Sequence, residues 1–272
     1  MLMILPILML LTSIGILLFH YFSTGEFIKK DVELTGGLTI MIETKEKVDL
    51  NLLQEKLPNA FLRLASSPTG NTLIIQIQET SEEAKDHVLN VVKEFVPFDE
   101  NQVTIGKTEP VLGEIFWKQA KLAITLAFIF MAVVVFLLFR TLAPSLAVIL
   151  AAVSDIIITL TIMNLVGIRL SLATLAALLM LIGYSIDTDI LLTTRLIKRH
   201  GEFKEKLKSA MKTGLTMSAT SIAALVCIFL FSKNFVLEQI TLVLIIGLLI
   251  DLPNTWIQNA GILKIWLERK HR

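Results

Sequence analysis

Residues 170–195 read LSLATLAALLMLIGYSIDTDILLTTR, and the reading of this stretch decides the fold class. It opens as an uncharged apolar run, and roughly 20 mostly apolar residues are enough to span the hydrocarbon core of a bilayer. Gly183, Tyr184 and Ser185 sit inside the run, with Asp187 and Asp189 near its end. Carboxylates in such a run are expensive, and they mark an ion path or a polar contact between helices. The two acids stand two positions apart, about 200° around a helix, so they cannot share a face. Asp189 aligns with Ser185 and Thr193 at spacings of four, while Asp187 aligns with Gly183 and Tyr184. The plain alternative is that both acids sit hydrated among the headgroups. Asp187 is the deeper of the two, and on depth it is the leading functional candidate.

Composition extends the membrane reading to the whole chain. Of 272 residues, 54% are hydrophobic and 18% charged, where a soluble domain carries about a quarter charged residues. Mean hydropathy is +0.72. A net charge of +1 gives no global basic field, so nucleic acid is not an expected partner. The single cysteine, Cys227, lies in an apolar run. That excludes an internal disulfide and argues against a metal cluster; a small core residue is expected there.

Residues 1–20 form an expected first transmembrane helix. A signal peptide would need a basic start and a small-residue cleavage site, and neither is present. Pro6 stands near the start of the helix, where it does little harm. Residues 21–118 are charged and patterned as a small α+β extracytoplasmic domain. Residues 38–43 (LTIMIE) and 72–78 (TLIIQIQ) read as strands, and 103–107 as a third. Residues 50–64 and 82–95 carry apolar side chains at helical spacing, giving a sheet with helices on one face. His87 has no Cys or Asp partner, and no nucleotide loop, metal spacing or nucleophile–base pair is present. Binding or mechanical coupling suits this domain better than catalysis.

Residues 119–260 hold five more expected spans, at about 122–139, 144–166, 170–192, 215–231 and 235–257, with Trp117 as an interfacial anchor. Together with the first helix they make an all-α bundle of six transmembrane helices. The connection 193–213 is rich in Lys and Arg, as is the tail 261–272. Positive loops stay on the cytoplasmic side, so both termini are expected in the cytoplasm and the domain outside. Arg169 is the exception to that count. The connection also reads as an amphipathic helix lying on the inner headgroups, which makes the lipid bilayer its expected partner.

Acids recur in three spans, Asp187 and Asp251 at similar depth and Asp155 somewhat deeper. Asp155 falls near the middle of the third span, Asp187 in the inner half of the fourth, and Asp251 in the inner half of the sixth, two residues before Pro253. No Lys or Arg stands at the same depth. Such acids can carry protons, or they can serve as hydrogen-bonding groups that hold helices together. Thr216, Ser218, Thr220 and Ser221 give the fifth span small polar residues suited to helix packing.

Six spans with a soluble domain after the first make the half-unit of the resistance–nodulation–division (RND) transporters. Two stretches narrow the likeness. Glu33-Leu-Thr-Gly-Gly37 resembles the D-F-T-G-G signature of the SecF family, so Glu33, Gly36 and Gly37 are motif residues. Gly183-Tyr-Ser-Ile186, followed by acids, resembles that family's G-Y-S-[IVL]-N-[DE]-[ST] signature, which adds Gly183, Tyr184 and Ser185. The resemblance covers essentially the whole chain and is archaeal in character. It implies a ferredoxin-like outer domain and a complex with SecD in the cell membrane. It also implies work beside a SecY-type channel on an exported polypeptide, driven by the proton gradient. No catalytic residue, metal or cofactor is implied.

The departures from the family pattern fall on the acids. The first signature acid is Glu33. The family's Asn falls on Asp187 and its acid on Thr188, with Asp189 beyond. An Arg that bacterial members carry at the start of the fifth span falls on Thr213, leaving Lys212 as the basic candidate. A small residue of the sixth span becomes Asp251, within DLPNTWIQNA. Asp187, Asp155, Asp251 and Asp189 are therefore the expected proton-coupling candidates. Two other readings stay open: an RND half that exports small molecules or lipids, and a non-transporting scaffold. An intramembrane enzyme is disfavoured, because no span carries a nucleophile–base pair or a zinc-binding His motif.

Overall fold

The computed structural model of the chain describes residues 3–44, 48–67, 70–232 and 234–270. Helix α1 (Ile4–Thr24) is apolar and stops at Gly25, whose left-handed φ of 80° closes its last turn. The chain then enters the small domain through α2 (Val32–Thr35), capped by Asp31. Four strands follow: β1 (Gly37–Thr44), β2 (Phe61–Ser67), β3 (Gly70–Ile77) and β4 (Val103–Thr108). Helix α3 (Leu50–Lys56) lies between β1 and β2, and α4 (Glu82–Phe95) between β3 and β4.

All strand pairs are antiparallel, in the order β2-β3-β1-β4. The register sets Ile40 opposite both Ile75 and Ile105. Alternation does the rest. Leu38, Ile40, Ile42, Leu73 and Ile75 form one buried face, packed against Leu53 of α3 and Val88 and Val92 of α4. The opposite face carries Phe61, Arg63, Ile74 and Gln76, which the register places side by side, and it meets the helical bundle.

Four strands replace the expected three. Residues 61–64, expected at the end of a helix, belong to β2, because α3 stops at Lys56 and Pro58 follows it. A proline cannot continue a helix and disfavours helical backbone just before it.

Among the described residues, six helices are long and apolar enough to cross a membrane, as expected: α1, α5 (Pro110–Phe139), α6 (Leu142–Val166), α7 (Leu172–Lys198), α8 (Phe203–Phe231) and the run Phe235–Lys270. That last run consists of α9 (Phe235–Pro253), a π-helical turn (Asn254–Asn259) and α10 (Ala260–Lys270). A proline near a helix end frees a carbonyl, and the π turn begins directly after Pro253. The shared core is built by α5, α6, α7 and α9; α1 and α8 are peripheral and largely exposed.

Two sequence expectations change here. The basic connection 193–213 is no surface-lying helix: α7 runs on to Lys198 and α8 begins at Phe203, so its charges sit on the ends of two spans. Lys206 Nζ donates to the carbonyls of Leu196 and Arg199 at 2.9 and 3.2 Å, completing the end of α7 as a cation does well. Cys227 is exposed on the outer face of α8 rather than packed in a core, because α8 turns only Ala210, Gly214 and Ser218 inward.

Candidate functional site

Asp155 on α6, Asp189 on α7 and Asp251 on α9 all turn into the bundle, and none is more than 1% exposed. Asp155 accepts from the Ser185 hydroxyl and from Asn254 Nδ2, the latter at 2.7 Å. Asp189 Oδ1 accepts from Asn259 Nδ2 at 2.7 Å and from Thr255 Oγ1 at 3.0 Å. Thr255 Oγ1 also lies 3.0 Å from Asp251 Oδ1. Thr188 Oγ1 lies 3.0 Å from Asp251 Oδ2 and 2.8 Å from the Ser185 carbonyl.

The polar partners come from two short runs. Ser185, Thr188 and Asp189 share the inner face of α7 at helical spacing. The π turn widens the backbone so that Asn254, Thr255, Gln258 and Asn259 are all buried. Among the described residues, Asp189 Oδ2, Asn254 Oδ1, Gln258 Oε1 and Asn259 Oδ1 have no hydrogen-bond partner. These are acceptors, so what the cluster lacks is protons.

A hydroxyl donates one hydrogen and accepts at two lone pairs. Thr255 therefore donates to Asp189 or to Asp251, not to both. Its second contact is completed only by a proton carried on a carboxyl. Among the described residues no Lys, Arg or His ion-pairs with the three acids. Nor is any group of three or more His, Cys, Asp or Glu among them arranged to hold a metal ion.

The sequence candidates separate cleanly. Asp187 is exposed on the outer face of α7, beside Gly183 and Tyr184; depth ranked it first, but its helical phase turns it away from the cluster. Asp189, ranked lower, is inside. Lys212 is exposed on α8. Its neighbour Thr213 is instead reached from α7, by Arg195 Nη2 at 3.0 Å, while Arg195 Nη1 donates to the Ser209 carbonyl at 2.9 Å. Arg195 counts in the sequence only as one charge in a basic connection; it stands one turn beyond the buried Leu192, and that spacing was the available signal. Asn254, Thr255 and Asn259 were not singled out; their spacing around Pro253 was the available signal.

The remaining motif residues form a second site, where the domain meets the bundle. Glu33 Oε2 accepts the backbone N–H of Leu172, at the start of α7, at 2.9 Å. Burial pushes the Glu33 carboxyl above the usual carboxylate range, the Leu172 hydrogen bond opposes this, and the negative charge of Asp31 adds to it. Gly36 and Gly37 have φ of 88° and 147°; Gly36 passes tightly over Pro110 at the start of α5, and Gly37 over the Ile77 carbonyl and Val32. Around them, Lys30 pairs with Leu170 as a parallel bridge, and Gln76 Nε2 donates to Asp31 at 2.7 Å. Arg63 pairs with Glu238 at 3.2 Å.

The family model described as "Protein export membrane protein SecD/SecF, C-terminal" matches residues 87–269. The chain is 39% identical to the protein-export membrane protein SecF of Methanolacinia petrolearia, covering 98% of this chain and 93% of the relative. It is 41% identical to that of Pyrococcus furiosus (97% and 90%) and 44% identical to that of Methanocaldococcus jannaschii (88% and 88%). Among solved structures it resembles SecDF of Thermus thermophilus, a translocon-associated membrane protein, with TM-score 0.77 at 19% identity. That likeness concerns the fold; it covers 98% of this chain and 37% of the solved one. The family match and the archaeal relatives, aligned over most of both lengths, lead to one conclusion: the chain belongs to the SecF family of protein-export membrane proteins.

Proposed function

We propose that the chain is the SecF-type subunit of a cell-membrane assembly that assists protein export, pairing with a SecD-type half and acting beside a SecY-type channel on the exported polypeptide. Both termini face the cytoplasm and the small domain lies outside. The observation that carries the mechanism is Thr255, one hydroxyl in contact with Asp189 and Asp251. Loading or removing one proton changes which carboxyl Thr255 serves, and with it the hydrogen bonds between α7 and α9. A proton gradient can then bias the packing of α7. Because Glu33 holds the first turn of that helix, the movement reaches the outer domain.

Pairing with a second half is supported by the outer face of α7. Met180 and Tyr184 are 46% and 39% exposed there, with Asp187 one turn on. A carboxylate at this depth is costly against lipid, and a facing helix would cover it. For the domain, the element order β-α-β-β-α-β with strands in the order β2-β3-β1-β4 supports a ferredoxin-like fold.

The test is translocation by vesicles containing channel, SecD-type partner and this chain, with and without a proton gradient. Wild type should gain from the gradient, and Asp189→Asn should not. A variant that still responds to the gradient removes the proton role. If wild type gives no stimulation at all, the export role itself fails.

A further inference from the structure

A cavity of about 350 Å³ opens on the domain side of the bundle, between the last turns of α1 and α6 and the edge of the sheet. His20, Lys29 and Arg169 line it, with Phe61 and Asn164 beside them. Two of its nitrogens, His20 Nε2 and Arg169 Nε, are buried without a hydrogen-bond partner among the described residues. Buried polar atoms are nearly always partnered, so each such atom calls for an explanation. The Arg169 guanidinium carbon stands 3.8 Å from the centroid of the Phe61 ring. That cation–π contact fixes the cation without consuming its N–H groups.

Lys29 is held by its backbone, whose carbonyl accepts the Leu170 N–H at 2.9 Å. Neither Lys29 nor Arg169 forms an ion pair among the described residues. Asp31 is the acid that acts on Arg169 electrostatically. Its oxygens already accept from Gln76 at 2.7 Å and from the Glu33 N–H at 3.2 Å. Two cations thus face the cavity with no carboxylate committed to either. Its mouth is apolar: Ile16, Phe19 and Leu165 line it, and Phe19 and Leu165 are 77% and 66% exposed on the outside of the bundle.

A partly buried cation, Arg169, an exposed one, Lys29, and hydrocarbon at the rim match one class of ligand, an amphiphile with an anionic phosphate head. We propose that this cavity binds the headgroup phosphate of an anionic membrane lipid in the leaflet on the domain side, its chain lying along Ile16, Phe19 and Leu165. Basic pockets between membrane helices bind lipid headgroups on this principle. A free phosphate ion offers the same charge but nothing for the apolar rim. The bound lipid would tie α1, which is otherwise peripheral, to α6 and the domain.

The test is native mass spectrometry of the full chain in neutral detergent, with phosphatidylglycerol, phosphatidylcholine and inorganic phosphate as separate probes. Phosphatidylglycerol should be retained in preference to both others. Lys29→Gln, whose side chain makes no hydrogen bond among the described residues, should weaken retention about five-fold at an unchanged melting temperature. Arg169→Gln should weaken it further. Equal retention of phosphatidylcholine, or undiminished binding by Lys29→Gln, would overturn the proposal. Competition by inorganic phosphate as strong as by the lipid would reduce the site to a simple anion site and overturn the lipid assignment.

Discussion

Glu33 Oε2 accepts the backbone N–H of Leu172 at 2.9 Å, across 139 residues of sequence. Leu172 is the first residue of α7, a helix of 27 residues and so about 40 Å long. The same helix carries Ser185, Thr188 and Asp189 on its inner face further along. The motif in the small domain and the buried acids are thus attached to one rigid element. Ser171 secures its start a second time, as a capping box with Thr174.

The cap should make stability depend on pH in a defined direction. Burial raises the Glu33 carboxyl above its ordinary 4.5, so the folded joint holds its proton to higher pH than the unfolded chain does. Its contribution is complete below about pH 4.5 and is lost as pH rises through the raised folded value. Thermal unfolding in detergent should therefore show a downward step with pH in that interval. Glu33→Gln keeps an oxygen for Leu172 and should flatten the step. Glu33→Ala removes the acceptor and should cost most, about 0.5–2 kcal/mol, below about pH 4.5. A step that persists in the glutamine variant would assign it to another group.

The two glycines at the joint should fail as one unit. A Cβ on Gly36 would stand 2.6 Å from Pro110 Cα, and a Cβ on Gly113 would stand 2.7 Å from Gly36 N. Both contacts are with backbone, which cannot rotate away. Gly36→Ala and Gly113→Ala should each cost about 1–3 kcal/mol through overpacking, with about 1–2 kcal/mol more at Gly36 for its left-handed φ. The double variant should cost less than the sum, since both changes open the same contact. Additive losses in chemical unfolding would show that the contacts are independent.

Much of this was legible in the sequence. The alignment of Ser185, Asp189 and Thr193 on one face of α7 is visible in the spacing, though not that this face turns inward, and hydropathy marks the six spans. Depth along a helix, however, says nothing about direction, which is why Asp187 outranked Asp189 on paper. Residues 61–64 continue the helical spacing of Leu53 and Leu57, and only Pro58 signalled the break. The joint was beyond reach for a different reason. Glu33 with Leu172, Arg63 with Glu238 and Phe61 with Arg169 are contacts between distant segments, and no local period encodes them. The π turn likewise follows from how α9 packs against α6 and α7, so the inward side of Asn254 and Asn259 could not be read from a regular helix.

Helix α8 should depend on one close approach. It buries only Ala210, Gly214 and Ser218, four residues apart, and a Cβ on Gly214 would stand 2.3 Å from Trp256 Cζ2. The indole packs with Leu192, Leu196 and Leu263, so it has little room to yield. Gly247 is as tight, but there the neighbour is the end of the Leu181 side chain, at 2.3 Å, which can change rotamer. Gly214→Ala should therefore lower stability by about 1–3 kcal/mol and Gly247→Ala by less. Trp256 fluorescence, in a chain whose Trp117 and Trp266 are replaced by Phe, should shift only for Gly214→Ala. A shift of equal size for both would mean that the two approaches are equally rigid.

Thr255 offers the sharpest separation between acids that matter to the cluster and an acid that does not. Its hydroxyl lies 3.0 Å from both Asp189 and Asp251, and its single hydrogen serves one of them. Thr255→Val keeps the shape and deletes the hydroxyl, leaving buried acceptors unpaired at about 1–3 kcal/mol each. Thr255→Ser restores the hydroxyl and should recover most of that loss, which an effect of shape alone would not. Asp187→Asn should leave stability within about 0.5 kcal/mol of wild type, because Asp187 is exposed and touches none of these groups. Infrared difference spectra report the proton itself. A protonated-carboxyl band should be present in wild type, shifted in Thr255→Val, lost or displaced in Asp189→Asn or Asp251→Asn, and untouched in Asp187→Asn. If Asp187→Asn alone removed the band, the proton would reside on the outer face of α7 and the buried cluster would be only a packing device.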